Sequence, residues 1–379
     1  MKVHDILFIG AGASALMAAS HLHGRDVALI DTNAKIGAKI LISGGGKCNL
    51  TNRFANAEHY SGDEAFIEKA LRAYPSSRTL AFVKEHRLSF EERAHGQLFC
   101  ANSAKELVSI FGRLTSHCTF YLSTNVLGVS KKSHFIIHTD KGDIEAKKLV
   151  IASGGLSYAS IGASGIGYDI AKQFGHTIIT PSPALVGLTL QKEQFWMKER
   201  SGIAFPAVLH VEGKRFSENL LFAHKGISGP AVLSASLYWK KGAISIDFVP
   251  HIQEMNVLFK THAQKQITTA IGLPKRFTKA FLDAHALDDK VLSKLTSSEK
   301  EIVLSLKNYT FSPAGNFGFT KAEVTRGGID TSQIDAQTIE SKLCQGLFAI
   351  GEVLDVTGEL GGFNFQWAFA SGFCCASSL

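Results

Sequence analysis

Three glycine-rich segments are candidates for binding a cofactor that contains phosphates and rings. The first, GAGASA at Gly10–Ala15, has the form GxGxxA and directly follows the apolar run His4–Ile9. In this form the first glycine allows a tight turn, the second lets the backbone approach a pyrophosphate, and the alanine lets the next helix pack closely. Asp31 comes about twenty residues later, where a carboxylate can bind ribose hydroxyls. The spacing favours dinucleotide binding over an ordinary turn between a strand and a helix.

The second segment, GAKILISGGGKCN, begins at Gly37. Its three consecutive glycines, next to serine, lysine and asparagine, expose backbone donors that suit an anion or the polar edge of a ring. A flexible surface loop is the alternative. The apolar lead-in Ile40–Ile42 favours a loop that is held against the core, and therefore a role in cofactor binding.

The third segment, GEVLDVTGELGGFNFQWAFASG, begins at Gly351 and leads into a helix that we expect to start near Asn364. A helix amino terminus stabilises negative charge, and a reduced flavin carries such charge around N1 and O2. A helix packed in the core explains Trp367 and Phe369, but it does not explain Gly361–Asn364. Because no second GxGxxG follows a strand, we predict one bound dinucleotide, FAD rather than NAD, with NAD(P)H as a transient donor.

Buried strands must position these segments. The first thirty residues have the pattern of a βαβ unit, whose strands are parallel and joined with right-handed connection. The runs Lys148–Ala152 and Gly346–Ile350 are likewise apolar and followed by glycine. We therefore predict one sheet built from both ends of the chain, with the middle as an insertion. In that insertion Pro183–Pro250 alternates apolar and polar residues, which favours antiparallel strands, and strand-like residues resume around Phe319–Thr325.

Composition limits the class of protein. With 379 residues, 45% of them hydrophobic, the chain is expected to fold rather than to stay disordered. Six cysteines without a CxxC pair argue against a disulfide scaffold and predict reduced thiols in the cytoplasm. We find no pattern of a secretory signal or a membrane span. The net charge of 40 − 33 = +7 is consistent with nucleic-acid contact or with an ordinary basic surface.

The three segments together resemble those of a known family of bacterial FAD-dependent oxidoreductases, often labelled NAD(P)/FAD-dependent or aminoacetone-oxidase-family enzymes. Four further segments match: GQLFC from Gly96, GGLSYASIGASGIGYDIAKQFG from Gly154, NLLFAHKGISGP from Asn219 and FTKAEVTRGGIDT from Phe319. The details are most similar to the branch of the ribosomal RNA dihydrouridine synthases. The chain departs from that branch at Lys47 and Lys225, where arginine is common, and at Glu359, where tryptophan is common. It also departs at Tyr158-Ala159, where a Met-Pro pair is common.

The resemblance implies an α/β fold in three parts. A two-dinucleotide-binding-type FAD domain with a parallel central sheet is expected at 1–186 and 328–379. An inserted antiparallel β-barrel is expected at 187–250 and 309–327, and a small helical domain at 251–308. The implied activity is the reduction of a uridine of large-subunit ribosomal RNA by hydride transfer from reduced flavin. A flavoenzyme that acts on a small molecule, as an amine oxidase or an enone reductase, and a flavoprotein with mainly a binding role are the alternatives.

The motifs and the resemblance together predict the residues of the site. The cofactor-binding set is Gly10, Gly12, Ala13, Ser14, Ala15, Asp31, Thr32, Lys39, Ser43, Gly44, Gly45, Gly46, Asn49, Val126, Ala152, Gly154, Gly351, Glu352, Gly362, Asn364 and Phe365. Cys48 and Cys100 are candidate proton donors, with small buried side chains as the alternative. His224 and Lys225 are candidates for polarising a carbonyl or holding a phosphate, with a solvated surface pair as the alternative.

An RNA substrate has to present an unstacked base, because a base inside a duplex cannot reach the face of a flavin. Basic residues of the insertion are candidates for following the RNA backbone: Lys192, Lys198, Arg200, Lys214, Arg215, Lys240 and Lys241. The sequence gives no indication of an oligomeric state.

Overall fold

The contacts within the chain divide it into two units. The computed structural model describes residues 2–379, and its contacts group Met1–Pro183 with Glu323–Leu379 in a first unit and Ala184–Ala322 in a second, inserted unit. The boundaries at 183/184 and 322/323 lie three and five residues before the predicted ones, at 186/187 and 327/328.

The chain up to residue 184 alternates between strands and helices. Its strands are β1 (Val3–Ile9), β2 (Val27–Ile30), β3 (Asn49–Asn52), β4 (Tyr60–Gly62), β5 (Phe90–Glu92), β6 (Gln97–Cys100), β7 (Thr119–Tyr121), β8 (Val126–Lys131), β9 (Phe135–Thr139), β10 (Gly142–Ile151) and β11 (Ile178–Ala184). Its helices are α1 (Ala13–Ala19), α2 (Ala38–Ile42), α3 (Glu64–Ala73), α4 (Ser76–Glu85), α5 (Ala104–Leu114) and α6 (Ile166–Gln173).

The insertion carries strands at both of its ends and helices between them. Its strands are β12 (Leu188–Thr189), β13 (Ala204–Val211), β14 (Lys214–Ala223), β15 (Gly226–Ser228), β16 (Ile244–Asp247), β17 (Tyr309–Phe311) and β18 (Gly315–Asn316). Its helices are α7 (Pro230–Tyr238), α8 (Met255–Thr261), α9 (Ile267–Ala270), α10 (Lys275–Ala284) and α11 (Ser297–Leu304). The chain then returns through β19 (Val324–Ile329), β20 (Leu347–Ala349), β21 (Val356–Gly358) and α12 (Phe363–Ala376).

The central sheet of the first unit has the order β7-β2-β1-β10-β9-β8, with β20 also paired to β10. Strands β2, β1, β10 and β20 run parallel, and the prediction that both ends of the chain contribute to one parallel sheet is confirmed. All four residues of β2 and the last four of β1 are buried. Strands covered on both faces are apolar along their length, which explains why the sequence shows unbroken apolar runs here.

Helix α12 returns to the first helix of the chain and packs directly on α1. Gly372 lies at the crossing, where an added Cβ would be only 2.5 Å from the Ser14 carbonyl oxygen. Ala15 and Ala18 on α1 are fully buried, as is Trp367 on α12. Small side chains on both helices therefore set how closely the two helices approach.

The second unit is built on an antiparallel sheet with the order β17-β16-β13-β14-β15-β12-β18, which confirms the predicted antiparallel character of the insertion. Its helices share one core with these strands, since the Phe277 ring on α10 lies 4.9 Å from that of Phe205 and 5.1 Å from that of Phe248. The strand expected from Phe319 begins later, at Val324, because a turn closed by the Lys321 N–H and the Gly318 carbonyl precedes it.

None of the helices in the described part of the chain combines the length and the hydrophobicity that crossing a bilayer requires.

We predict that Gly372→Val destabilises the first unit. The added side chain meets the backbone of α1 rather than a movable side chain, and overpacking of this kind costs about 1–3 kcal/mol. Denaturant unfolding of the variant measures the loss in the free energy of unfolding. Gly128→Ala is the control, because an added Cβ at Gly128 meets nothing within 4 Å. Equal stability of Gly372→Val and wild type would contradict the helix crossing.

Candidate cofactor-binding site

The turn after β1 is held in shape by the residues around it. Gly10 has φ +111°, and an added Cβ would lie 2.3 Å from the Ala152 carbonyl oxygen, so only glycine fits there. The Ala11 N–H donates to the Asp31 carboxylate at 2.8 Å. Gly12 differs from Gly10, because an added Cβ on it would meet nothing within 4 Å. The turn is thus fixed by Ala152 and Asp31, whereas the space beside Gly12 is free of protein atoms.

Asp31 is positioned at the end of β2 by a neighbour that the sequence motif does not include. Both the backbone N–H and the side-chain amide of Asn33 donate to the second carboxylate oxygen of Asp31, each at 2.8 Å. The Asn33 amide also donates to the Ile161 carbonyl at 3.0 Å. Each carboxylate oxygen can accept about two hydrogen bonds, so the oxygen that accepts only the Ala11 N–H retains capacity for a ribose hydroxyl.

Thr32 and Val126 lie near the end of β2. The Thr32 hydroxyl oxygen is close to Gly162, where an added Cβ would be 2.8 Å away. Val126 opens β8 two residues after Thr124, whose N–H donates to the Asp31 carbonyl at 3.0 Å. The first unit therefore gathers these two predicted residues around the end of β2.

A half-buried ion pair links α2 to the loop after β20. Lys39 Nζ lies 2.6 Å from one carboxylate oxygen of Glu352, and the other oxygen accepts the Thr325 N–H at 2.8 Å. The Thr325 hydroxyl, which is fully buried, accepts the N–H groups of Leu156 and Ser157 at 2.8 and 3.2 Å. Thr325 thus ties together the loops after β10 and β20. The sequence places it in a matched segment, but it carries no motif signal for this role.

The three consecutive glycines of the second segment all adopt left-handed backbone angles, with φ of 55° at Gly44, 66° at Gly45 and 85° at Gly46. The loop is anchored at its start, where the Ser43 hydroxyl donates to the Ile40 carbonyl at 2.8 Å, and at its end, where the Cys48 N–H donates to the Ser43 carbonyl at 3.0 Å. L-residues other than Asn and Asp rarely adopt these angles. Glycine is therefore required for the shape of this loop.

The start of α12 is locked to β3. Gly362 has φ +97°, and an added Cβ would lie 2.4 Å from the Thr51 carbonyl oxygen. With the Asn49 amide oriented so that its oxygen faces Gly362, it accepts the Gly362 N–H at 3.1 Å and donates to the Thr51 carbonyl at 3.2 Å. Asn364 accepts the Gly358 N–H at 2.9 Å and donates back to the Gly358 carbonyl at 2.8 Å. These contacts fix the amino terminus of the helix, where Phe365 also lies.

One turn further along α12, the fully buried Gln366 holds three elements together. Its side-chain oxygen accepts the hydroxyls of Thr51 at 2.6 Å and Thr79 at 2.8 Å, and its nitrogen donates to the Tyr74 carbonyl at 2.7 Å. A buried amide with all these partners orients the helix, and removing one partner leaves a buried polar group unsatisfied. Sequence reasoning treated this stretch of α12 as apolar packing and missed Gln366.

The loop after β20 is fixed from the same helix. The Gly351 N–H donates to the Ser371 hydroxyl at 3.0 Å, and the Gly351 carbonyl accepts the Trp367 indole N–H at 3.0 Å. Gly351 itself has φ +74°, and an added Cβ would lie 2.6 Å from the Ser14 hydroxyl oxygen. The loop that carries Glu352 is thus packed against the helix that follows the first glycine turn.

The residues present fit an FAD molecule. Gly12, Gly45 and Gly154 belong to three different loops, and an added Cβ on any of them meets no protein atom within 4 Å. Open glycine backbone beside a helix amino terminus suits phosphates, and Asp31 suits a ribose diol. The diphosphate would be held by Gly10–Ala15, and the flavin ring by the loop from Ser43 and the start of α12.

The four predicted catalytic residues fall into two groups. Cys48, which directly precedes β3, is a neighbour of Cys100 at the end of β6, since the Cys100 N–H donates to the Cys48 carbonyl at 3.2 Å. Both side chains are fully buried. Burial, together with the adjacent Cys100 thiol, raises the pKa of the Cys48 thiol well above its ordinary value. His224 and Lys225 are exposed at the turn between β14 and β15 in the second unit.

Comparison with known proteins gives one family and several relatives. The family model described as the HI0933-like protein Rossmann domain matches residues 4–378. A protein of Escherichia coli (strain K12) named ribosomal RNA dihydrouridine synthase is 38% identical, over 100% of this chain and 98% of its own length. A protein of Clostridium scindens named 3-dehydro-bile acid delta(4,6)-reductase is 31% identical, over 98% of each chain.

A solved structure shows the same fold. The 3-ketosteroid delta1-dehydrogenase of Sterolibacterium denitrificans, solved with 1,4-androstadiene-3,17-dione, matches with a TM-score of 0.51 and 10% identity. The match covers 100% of this chain and 99% of that one.

We predict that Gly12→Ala weakens FAD binding without unfolding the protein. Gly12 has ordinary backbone angles and open space around it, so alanine should change the free energy of unfolding of the flavin-free protein by less than about 0.5 kcal/mol. The methyl group would occupy the face that approaches the diphosphate, and we expect the Kd for FAD to rise at least about tenfold, or about 1.4 kcal/mol. Titration by flavin fluorescence measures it. Unchanged affinity, equal to that of Gly128→Ala, would argue against this face as the diphosphate site.

We predict that alkylation separates the buried thiols from the others. In the folded protein at pH 8, iodoacetamide should label the partly exposed Cys118 and Cys344 but leave Cys48 and Cys100 unmodified. Burial raises the pKa of Cys118 to about 11, so its thiolate fraction and its labelling rate should increase as the pH rises from 8 to 11. Peptide mass spectrometry measures both. Rapid labelling of Cys48 in the native protein would contradict its burial.

Proposed function

Because the chain belongs to the HI0933-like family and has the fold of FAD-dependent oxidoreductases, we propose that it reduces a uridine of large-subunit ribosomal RNA to dihydrouridine, with NAD(P)H as the hydride donor. The observation that carries the proposal is the full-length relative, at 38% identity, named for this activity. An RNA substrate of the ribosome also accords with a cytoplasmic location.

The chemistry demands three things of the protein. Reduced FAD, when bound, supplies a hydride to the C6 atom of uracil, whose C5=C6 bond is conjugated with the C4 carbonyl. The protein must orient the base, stabilise the negative charge that develops on the carbonyl oxygen, and provide a proton for C5. The amino terminus of α12, fixed by Gly362 and Asn364, favours negative charge beside it.

The candidates for polarising the carbonyl and the candidates for donating the proton differ in how exposed their side chains are. His224 and Lys225 are exposed and carry N–H donors that suit a uracil carbonyl oxygen or an RNA phosphate. The thiols of Cys48 and Cys100 are buried within the core of the first unit. We therefore propose His224 and Lys225 as the residues that contact the substrate, and the two cysteines as residues that support the loop of Gly44–Gly46.

A second candidate is the reduction of a small conjugated ketone. It is favoured by the 31% identical relative, whose name describes a reductase of double bonds in a 3-dehydro bile acid. Uracil and a conjugated ketone share the same reactive unit, a C=C bond polarised by a carbonyl. Steady-state turnover of a free enone with NADH or NADPH, in the absence of RNA, supports this candidate over the first.

We predict that deletion of the gene removes one dihydrouridine from large-subunit ribosomal RNA. Nuclease digestion and mass spectrometry should show that one uridine loses its two-hydrogen mass increment, and that the intact gene restores it. The gene with Gly12→Ala is the matched control and should restore less of the modification, because it binds FAD more weakly. An unchanged dihydrouridine map in the deletion strain would refute the proposed RNA substrate. The reduction of a small conjugated ketone would then be the remaining candidate function.

A further inference from the structure

A basic surface lies on the second unit where the 3-10 helix Lys192–Arg200 packs on α10. The Trp196 ring anchors the segment, at 5.7 Å from the Phe277 ring and 5.9 Å from the Phe281 ring. The Arg276 guanidinium also reaches the Glu199 carbonyl at 3.5 Å. The two elements form one surface, which we name the α10 platform and define by its basic and aromatic residues: Lys192, Phe195, Lys198, Arg200, Lys275, Arg276 and Lys279.

The charges of α10 work against the stability of the helix. Lys275 and Arg276 occupy its first turn, which contains no acidic residue, and the exposed Asp283 stands in its last turn. The macrodipole favours the opposite arrangement, with acids first and bases last. Lys275 and Lys279 are also four residues apart on the same face, where like charges repel. The helix is held by its buried aromatic face, so stability does not account for these cations.

Carboxylates do not neutralise the cations of α10. Within the described residues of the second unit, none lies within 4.0 Å of the charged groups of Lys275, Arg276 or Lys279. All three side chains are exposed. Arg200, on the neighbouring segment, pairs with Glu199 at 2.7 Å, but its Nε is buried without a hydrogen-bond partner. The uncompensated positive charge of the platform is thus that of the three cations on α10.

An exposed aromatic ring accompanies these charges. Phe195 is 42% exposed, and Lys198 Nζ lies 3.2 Å from the centroid of its ring. A ring of this kind beside several cations matches the needs of single-stranded RNA, whose bases stack on aromatic faces while its phosphates pair with lysine and arginine.

We propose that the α10 platform binds a single-stranded segment of the RNA substrate, with Phe195 under a base and Lys275, Arg276 and Lys279 on successive phosphates. The inference rests on the proposed function and adds residues of α10 that the sequence did not single out. The unpaired basic charge of α10 is complementary to a polyanion, and an RNA strand offers phosphates for these cations and bases for the exposed Phe195 ring.

The test measures RNA affinity of the FAD-loaded protein by fluorescence anisotropy, with a labelled single-stranded RNA oligonucleotide over a series of salt concentrations. Each phosphate contact to a single strand contributes about −0.7 to the slope of log K against log salt. The variant Lys275→Gln/Arg276→Gln/Lys279→Gln should therefore reduce the slope by about 2 and weaken low-salt binding more than about tenfold. Phe195→Ala should weaken binding about fivefold or more with little change in slope.

The matched control is Lys69→Gln/Lys84→Gln/Lys105→Gln, which removes three exposed lysines from helices of the first unit and gives the same net charge. It should keep the wild-type slope. The α10 variant should keep its flavin spectrum and a Tm equal to or above that of wild type, because the lost cations are unfavourable in the first turns. Should the triple variant lose its flavin, Lys275→Gln alone tests the same expectation, with a slope change of about 0.7.

Two results overturn the proposal: an unchanged affinity and slope in the α10 variant, or an equal loss in the control, which would make the binding a matter of net charge. Either result, together with a dihydrouridine that disappears on gene deletion, refutes the platform and leaves the proposed function standing. An unchanged ribosomal RNA map, with no measurable binding by the wild-type protein, refutes both.

Discussion

The close crossing of α12 over α1 is the constraint on which the candidate cofactor site depends. A Cβ at Gly372 would sit 2.5 Å from a backbone oxygen of α1, so the two helices can meet only where side chains are absent or small. The pairing of β20 with β10 delivers the chain to the same place. Together they join Lys39 and Glu352, which are 313 residues apart in sequence, in one ion pair. Loops from both ends of the chain can form one site because α12 packs on α1.

Buried and half-buried polar groups then give the loops fixed shapes. Gln366, Thr325 and Asn33 each bond to two or more segments, and none of them depends on a charged partner other than Asp31 or Glu352. A typical hydrogen bond contributes only about 0.5–1.5 kcal/mol net, while a buried group that loses its partner costs about 1–3 kcal/mol. Such networks therefore select one arrangement of the loops more than they add to stability. For a site that must receive a rigid ring, this preorganisation lowers the cost of binding.

The sequence was informative where local chemistry dictates structure. The form GxGxxA and the apolar runs before Gly10 and Gly351 located the turn and the parallel strands, because buried strands and tight turns restrict residue type at each position. It was silent where a partner is distant in sequence: Thr325 accepts N–H groups from residues 168 and 169 positions away, and no local pattern reveals that. The start of β19 was also misplaced, since the turn at Gly318–Lys321 contains residues that are equally suited to a strand.

The two units differ in the polar residues that they contribute. All of the predicted cofactor-binding residues, from Gly10 to Phe365, belong to the first unit. The contacts that position them are made within that unit. A hydride donor held in this way can reduce any acceptor with a C=C bond polarised by a carbonyl. The cofactor site therefore does not by itself discriminate between a nucleobase and a ketone. Selection must then come from groups outside it. The second unit provides exposed groups of this kind in His224, Lys225 and the cations of α10. The placement of these cations in the first turns of α10 is unfavourable for the helix and agrees with the RNA contact that we propose.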